Sequence, residues 1–104
     1  MKPFSNPCTA EKYRQLGFSA TDLSVKLTIG RVSIYAVEHS FKGVAMIFES
    51  ITPRTMCQYE VTLPERCSVE QIAGLIYMNV AQNFRDSAEM FKAHFQSLGL
   101  RLFQ

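Results

Sequence analysis

The chain has 104 residues, a formal charge of +2, and a composition that is 47% hydrophobic and 19% charged. That is room for one domain with one core, enough to fold without metal or disulfide, and too ordinary a composition for a disordered chain. The Lys and Arg residues are scattered from Lys2 to Arg101 with no three together, which excludes the basic stripe of a dedicated duplex-DNA binder.

The opening residues, Met1-Lys2-Pro3-Phe4-Ser5-Asn6-Pro7, lack the apolar stretch of a signal peptide. No apolar run approaches the ~20 residues that a membrane helix needs. Cys8, Cys57 and Cys67 form no CxxC pair and leave one thiol over, a usage that suits a reducing compartment. The expected location is cytoplasmic.

A short helix comes first, capped by Asn6 with Pro7 at its first position or, alternatively, by Thr9. It ends at Leu16-Gly17-Phe18, where Gly17 takes the left-handed position beyond the helix and Phe18 folds back. Tyr13 and Leu16 give it a small apolar side. Leu23, Val25, Leu27 and Ile29 then alternate with Ser24, Lys26 and Thr28, the period of a half-buried strand. Gly30-Arg31 reads as a two-residue hairpin turn, with glycine supplying the positive φ. The turn fixes a register in which Ile29 meets Val32, Leu27 meets Ile34 and Val25 meets Ala36.

A second hairpin turns at Thr52-Pro53-Arg54-Thr55, with proline at the second position. Its register sets Phe48 against Tyr59, Met46 against Val61 and Val44 against Leu63, with Glu49 opposite Gln58 and Ala45 opposite Thr62 on the other face. A third turn, from His39 to Gly43, brings Ile34 beside Phe48. These strands share one apolar face, the pattern of a one-sided antiparallel sheet.

After Pro64 the period changes to that of a helix. Ser68 with Gln71 makes a capping box, and Val69, Ile72, Ala73, Ile76, Val80 and Phe84 form one face. Asp86 with Glu89 reads as a second capping box, opening a segment in which Ala88, Phe91, Phe95 and Leu98 share a face before Gly99. One continuous helix or two hinged near Asn83–Asp86 both fit the stripe, and the second box favours two. The expectation is an α+β fold: a short N-terminal helix, a four-stranded antiparallel β-meander, and one or two C-terminal helices packed on the sheet. Residues 1–104 form a single domain.

Two surfaces exceed the needs of one core. From Val69 to Phe84 the helix carries no charge after Glu70, and its far side holds Gly74, Leu75, Met78 and Ala81, where a solvated face normally shows Lys, Glu or Arg. The terminal or first helix, a second copy of the chain, or a different protein would each account for that face. On the outer side of the sheet, Tyr35 beside Ile47 and Val37 beside Ala45 make a compact apolar patch. Either the N-terminal helix covers it or it is a contact site.

Catalytic chemistry finds little to stand on. His94 lies among Phe91, Phe95 and Leu98 and reads as a core-edge residue; His39 falls in a turn. Two histidines and three cysteines show no metal-finger spacing, and Cys57 points into the expected core. The glycines stand singly, so no phosphate loop exists. Cys67, just before the Ser68 cap, sits where a helix dipole lowers a thiol pKa, but Glu65 and Glu70 oppose that effect. No cofactor and no metal are implied.

A meander followed by a helix resembles several single-strand-binding domains, which stack bases on sheet aromatics. Lys26, Arg31 and Tyr35 share the outer face or its edge, but so do Glu49 and Glu60. The chain also resembles secretion chaperones in size and class. Those are commonly acidic, and the isoelectric point near 8.5 counts against that role. The reading is a non-enzymatic protein-binding module (regulatory, inhibitory or adaptor) whose partner is another protein or, as a homodimer, itself. The anchors are Leu75 and Met78 on the helix and Tyr35 and Ile47 on the sheet. Single-stranded nucleic-acid binding and a chaperone-like role are the alternatives.

Overall fold

A computed structural model describes residues 4–21, 24–39, 43–51, 56–64 and 66–102, with the backbone alone at 51, 56 and 57. Leu23, the Thr52–Thr55 turn, the tip of the His39–Gly43 turn, Glu65 and the direction of the Cys57 side chain lie outside the described residues.

The first helix, α1, spans Pro7–Gln15. Asn6 is its cap: the side-chain oxygen accepts from the Cys8 amide at 2.9 Å, and Pro7 occupies a first-turn position where no N–H is needed. Gly17 follows with φ 98°, and the Phe18 amide returns to the Tyr13 carbonyl at 3.1 Å. The sheet then runs β1 (Ser19–Ala20), β2 (Val25–Ile29), β3 (Val32–Glu38), β4 (Val44–Ile51) and β5 (Met56–Leu63), in that spatial order and antiparallel throughout. Among the described residues it has five strands rather than four. The additional one is a two-residue strip in which Ser19 pairs with Lys26 and Ala20 with Val25.

The registers expected from turn geometry are present. Val25 faces Ala36 and Leu27 faces Ile34; Ile34 faces Phe48 and Tyr35 faces Ile47; Phe48 faces Tyr59 and Ala45 faces Thr62. One face is therefore continuous in Val, Leu, Ile, Met and Phe, and the helices cover it.

The terminal stripe forms two helices, α2 (Val69–Asn83) and α3 (Ala88–Ser97), joined through a single 3-10 turn at Arg85–Ser87. The Ser68 capping box closes as expected: Ser68 Oγ accepts from the Gln71 amide at 3.1 Å, and Gln71 Oε1 accepts from the Ser68 amide at 2.8 Å. The Asp86–Glu89 box does not form. Neither the 3-10 turn nor α3 has a side-chain cap, and Asp86 instead accepts from Arg31 at 3.2 Å across the molecule. Leu98, expected on the apolar face of α3, is 43% exposed.

A single hydrophobic core joins α1, α2, α3 and the inner sheet face. Phe48, Tyr59 and Phe84 stack through it at centroid distances of 4.9 and 5.6 Å, and Phe4, Tyr13 and Phe18 build a second aromatic corner. Tyr13, Leu16 and Phe18 belong to the same core as Ile76 and Phe95. So α1 lies with the other helices and does not cover the outer sheet face, which overturns that expectation. Its position is held by His94 Nε2 at 2.8 Å from the Leu16 carbonyl and by Lys12 Nζ donating to the Cys67 carbonyl at 2.9 Å. Among the described residues the result is a two-layer slab, helices on one side and open sheet on the other.

Candidate functional site: an open sheet face and a groove on α2

Strand alternation sends every second side chain of β2–β5 to the outer face. The registers then arrange these residues in rows. Lys26, Tyr35, Ile47 and Glu60 lie in one row across the sheet, and Val37, Ala45 and Thr62 in the next. Thr28, Ser33, Glu49 and Gln58 form the third row, with the Thr28 and Ser33 hydroxyls 3.0 Å apart. The apolar side chains are thus gathered on the central strands β3 and β4, and polar ones occupy the flanks. Tyr35, Val37 and Ile47 are half-buried, while Ala45 is hemmed in to 5% exposure. None of the four belongs to the core shared with the helices.

Tyr35 is held in place from two sides. The Lys26 ammonium sits 5.1 Å from the centre of its ring, a cation–π contact, and its hydroxyl donates to Glu49 Oε1 at 3.4 Å. Lys26 thus occupies one face of the Tyr35 ring. Arg31, the third member of the expected nucleic-acid set, does not join it. Its guanidinium pairs with Asp86 in the helical layer and lines a cleft of about 300 Å³ with Phe84 and Arg85. The structure brings Lys26 and Tyr35 together and leaves Arg31 apart.

The α2 residues fall on the opposite side of the slab. Ile72, Ala73, Ile76 and Val80 face inward and are buried, while Gly74, Leu75 and Ala81 are half-buried and Met78 is 51% exposed. The chain end supplies part of the cover that was expected from a helix. The Leu102 carbonyl lies 3.6 Å from where a Cβ on Gly74 would stand. A groove of about 450 Å³ remains between α2 and this tail, floored by Gly74, Leu75, Met78 and Leu102, with Glu70 and Arg101 at its rims.

Among the described residues two tyrosines have shifted titration. Burial pushes the Tyr13 phenol well above its ordinary range, helped by the nearby Cys67 thiol. Burial likewise pushes Tyr59 up to about 12, partly offset by the Asn83 side chain. Asn83 is near enough to favour the ionised form, but no hydrogen bond of good geometry forms, since neither phenol oxygen has a partner. Both rings are packing elements. Among the described residues no three His, Cys, Asp or Glu side chains gather as metal ligands, and no helix is long and apolar enough to cross a membrane. Cys67 is half-buried and Cys8 exposed.

Sequence reasoning missed the backbone edge of β5, the groove contributed by Arg101 and Leu102, and the Arg31–Asp86 link between sheet turn and helical layer. Only the first left a signal: eight residues from Met56 to Leu63 without lysine, proline or glycine. Compared with protein families, curated proteins and solved structures, the chain matches none.

Proposed function

We propose that this protein is a non-enzymatic binding module that acts by docking another protein on its outer sheet face. The observation that supports this most directly is the apolar centre formed by Tyr35, Val37, Ala45 and Ile47 on a face that no helix among the described residues covers. A sheet face intended only for water would alternate apolar-in and polar-out along its central strands as well as its outer ones. Here the polar residues Lys26, Glu49, Gln58, Glu60 and Thr62 form a rim instead. An apolar centre with a polar rim is the anatomy of a protein interface, and Tyr35, already fixed by Lys26 and Glu49, loses little freedom when it is covered. The α2 groove around Met78 is a second, smaller surface of the same kind.

The test is a photo-crosslinking residue placed at position 47, used in the native host, with the same label at Met78 for comparison. A discrete adduct from position 47 that Tyr35→Ala reduces, in a protein that stays folded, is the expected outcome. Adducts that depend on Met78 alone would transfer the function to α2. Binding that instead weakens steeply with salt and falls on Lys26→Ala would favour single-stranded nucleic acid.

A further inference from the structure

Hydrogen-bond alternation along the sheet decides which backbone groups face its open edge. The two-residue turn at Gly30-Arg31 makes Ile29–Val32 a hydrogen-bonded pair. Residues 33, 35 and 37 of β3 then bond to β4, in keeping with the His39 amide reaching the Gly43 carbonyl at 3.0 Å. In turn, residues 44, 46, 48 and 50 of β4 bond to β5, so it is Tyr59, Val61 and Leu63 whose amides and carbonyls point back into the sheet. Those of Met56, Gln58, Glu60 and Thr62 point outward. Among the described residues no element pairs with that side of β5.

An edge of this kind is ordinarily blunted by shortness, a lysine, a proline or a bulge. The sheet's other edge is blunted, since β1 is only two residues long and Lys26 stands beside it. β5 is eight residues long, pairs with β4 without a bulge, and carries Glu60 as its one charge. Its inner-face residues Tyr59 and Val61 are half-exposed at the same edge.

We infer that β5 pairs antiparallel with β5 of a second copy of this chain, about a two-fold axis at Tyr59, joining the two sheets into one. That axis is chosen by charge and by length. Centred on Glu60, the pairing would set two carboxylates directly opposite each other, which is destabilising. Centred on Tyr59, it sets Glu60 against Gln58 of the other copy, and the four outward-facing residues find partners over nearly the whole strand. Tyr59 then meets its own counterpart at a non-hydrogen-bonded position, where opposing side chains come closest, and the exposed flanks of Tyr59 and Val61 are covered. A two-fold pairing uses the same edge on both copies and closes. The short β1 edge gives the assembly no second strand to propagate from, so a dimer results rather than a fibre. This stands independently of what the outer face binds.

The experiment is light scattering behind size exclusion on the full chain across a wide concentration range, together with amide hydrogen exchange. The expected result is a dimer in which the amides of Gln58, Glu60 and Thr62 exchange slowly and are freed on dilution, while those of Tyr59 and Val61 stay protected throughout. Gln58→Glu sets like charges opposite each other twice across the seam, beyond the pairing with Glu49 that each monomer makes alone, and should weaken the dimer about tenfold; Gln58→Lys should strengthen it by a comparable factor. Gln58→Pro removes an outward amide that the monomer does not use and should abolish pairing with the fold retained. A monomer at every concentration overturns the inference. So does a dimer in which these amides exchange freely, or one that responds to Met78→Glu and ignores both charge variants.

Discussion

Adjacent residues of β4 give the sharpest test of a sheet covered on one side only. Phe48 points inward, has no exposed surface, and stacks parallel on Tyr59 at 4.9 Å; Ile47 points outward and is half-buried. Phe48→Ala removes a fully buried ring and leaves a cavity beneath β4, a change that costs about 3–5 kcal/mol, and the lost stack places it toward the upper end. Ile47→Lys forfeits only part of the ~1.5–3 kcal/mol that full burial of an isoleucine provides. The lysine stem can still lie on Tyr35 with its ammonium in water near Glu60, so a loss of about 1 kcal/mol is expected. Were the outer face covered within the monomer, the same lysine would be a buried, unpaired charge costing several kcal/mol. Equilibrium urea unfolding followed by circular dichroism on both variants measures the difference, provided the denaturant slopes agree. An Ile47→Lys loss as large as that of Phe48→Ala would refute the two-layer reading and the proposed function with it.

Met78→Glu should cost no more than about 1 kcal/mol, because the side chain is 51% exposed and Met and Glu have similar helix propensity; a loss above about 3 kcal/mol in urea unfolding would make the α2 face internal core. Gly43→Ala should cost about 3 kcal/mol or more, since Gly43 has φ 124° and an added Cβ would run into the Leu63 carbonyl oxygen; a melting temperature within a few degrees of the parent would refute the observed β4–β5 junction. Stability should also fall at alkaline pH. Tyr13 and Tyr59 are held protonated in the fold, with pKa values above the ordinary 10.0, so their contribution is complete below pH 10 and is lost as pH rises through the folded-state values. The slope from Tyr13 is about 1.4 kcal/mol per pH unit once the unfolded phenol ionises, with a smaller, solvent-screened share from Tyr59. A urea midpoint that stays flat from pH 9 to 12, judged against Tyr13→Phe, would contradict this.

Much of the sheet was legible because turn and alternation constrain each other. A two-residue turn at Gly30-Arg31 leaves one register in which Val25, Leu27 and Ile29 all meet apolar partners, and that register is present. The strand β1 was not legible, since Ser19–Ala20 has no alternation of its own and is a strand only through pairing with Val25 and Lys26. The Asp86–Glu89 pattern misled for a related reason. A capping box needs its first residue extended and directly before a helix, but Asp86 lies inside the 3-10 turn Arg85–Ser87, and Arg31, distant in sequence, claims the carboxylate. Amphipathicity showed that Tyr13 and Leu16 must be buried but could not say on which side of the sheet. That side was set by contacts to His94 and Cys67, many residues away. The outer patch followed from register alone, whereas the full extent of the α2 groove depended on where the tail at Leu102 comes to rest.

The two surfaces of the sheet are linked by geometry. All three helices are committed to the inner face, where Phe48, Met46 and Ile34 have no exposed surface, and no further helix among the described residues remains to cover the other side. Polar residues on the outer face are concentrated on β2 and β5, leaving β3 and β4 to carry Tyr35, Val37, Ala45 and Ile47. If β5 pairs with its copy, the β4 strands of the two chains stand three strand spacings apart, about 14 Å, and both apolar patches belong to one continuous face. A partner that engages both would bind with an avidity that either patch alone lacks. Dimer loss through Gln58→Pro should then weaken partner binding although the apolar patch of Tyr35, Val37, Ala45 and Ile47 is unchanged. Tyr35→Ala should weaken binding while leaving the dimer intact, which is how the two effects separate.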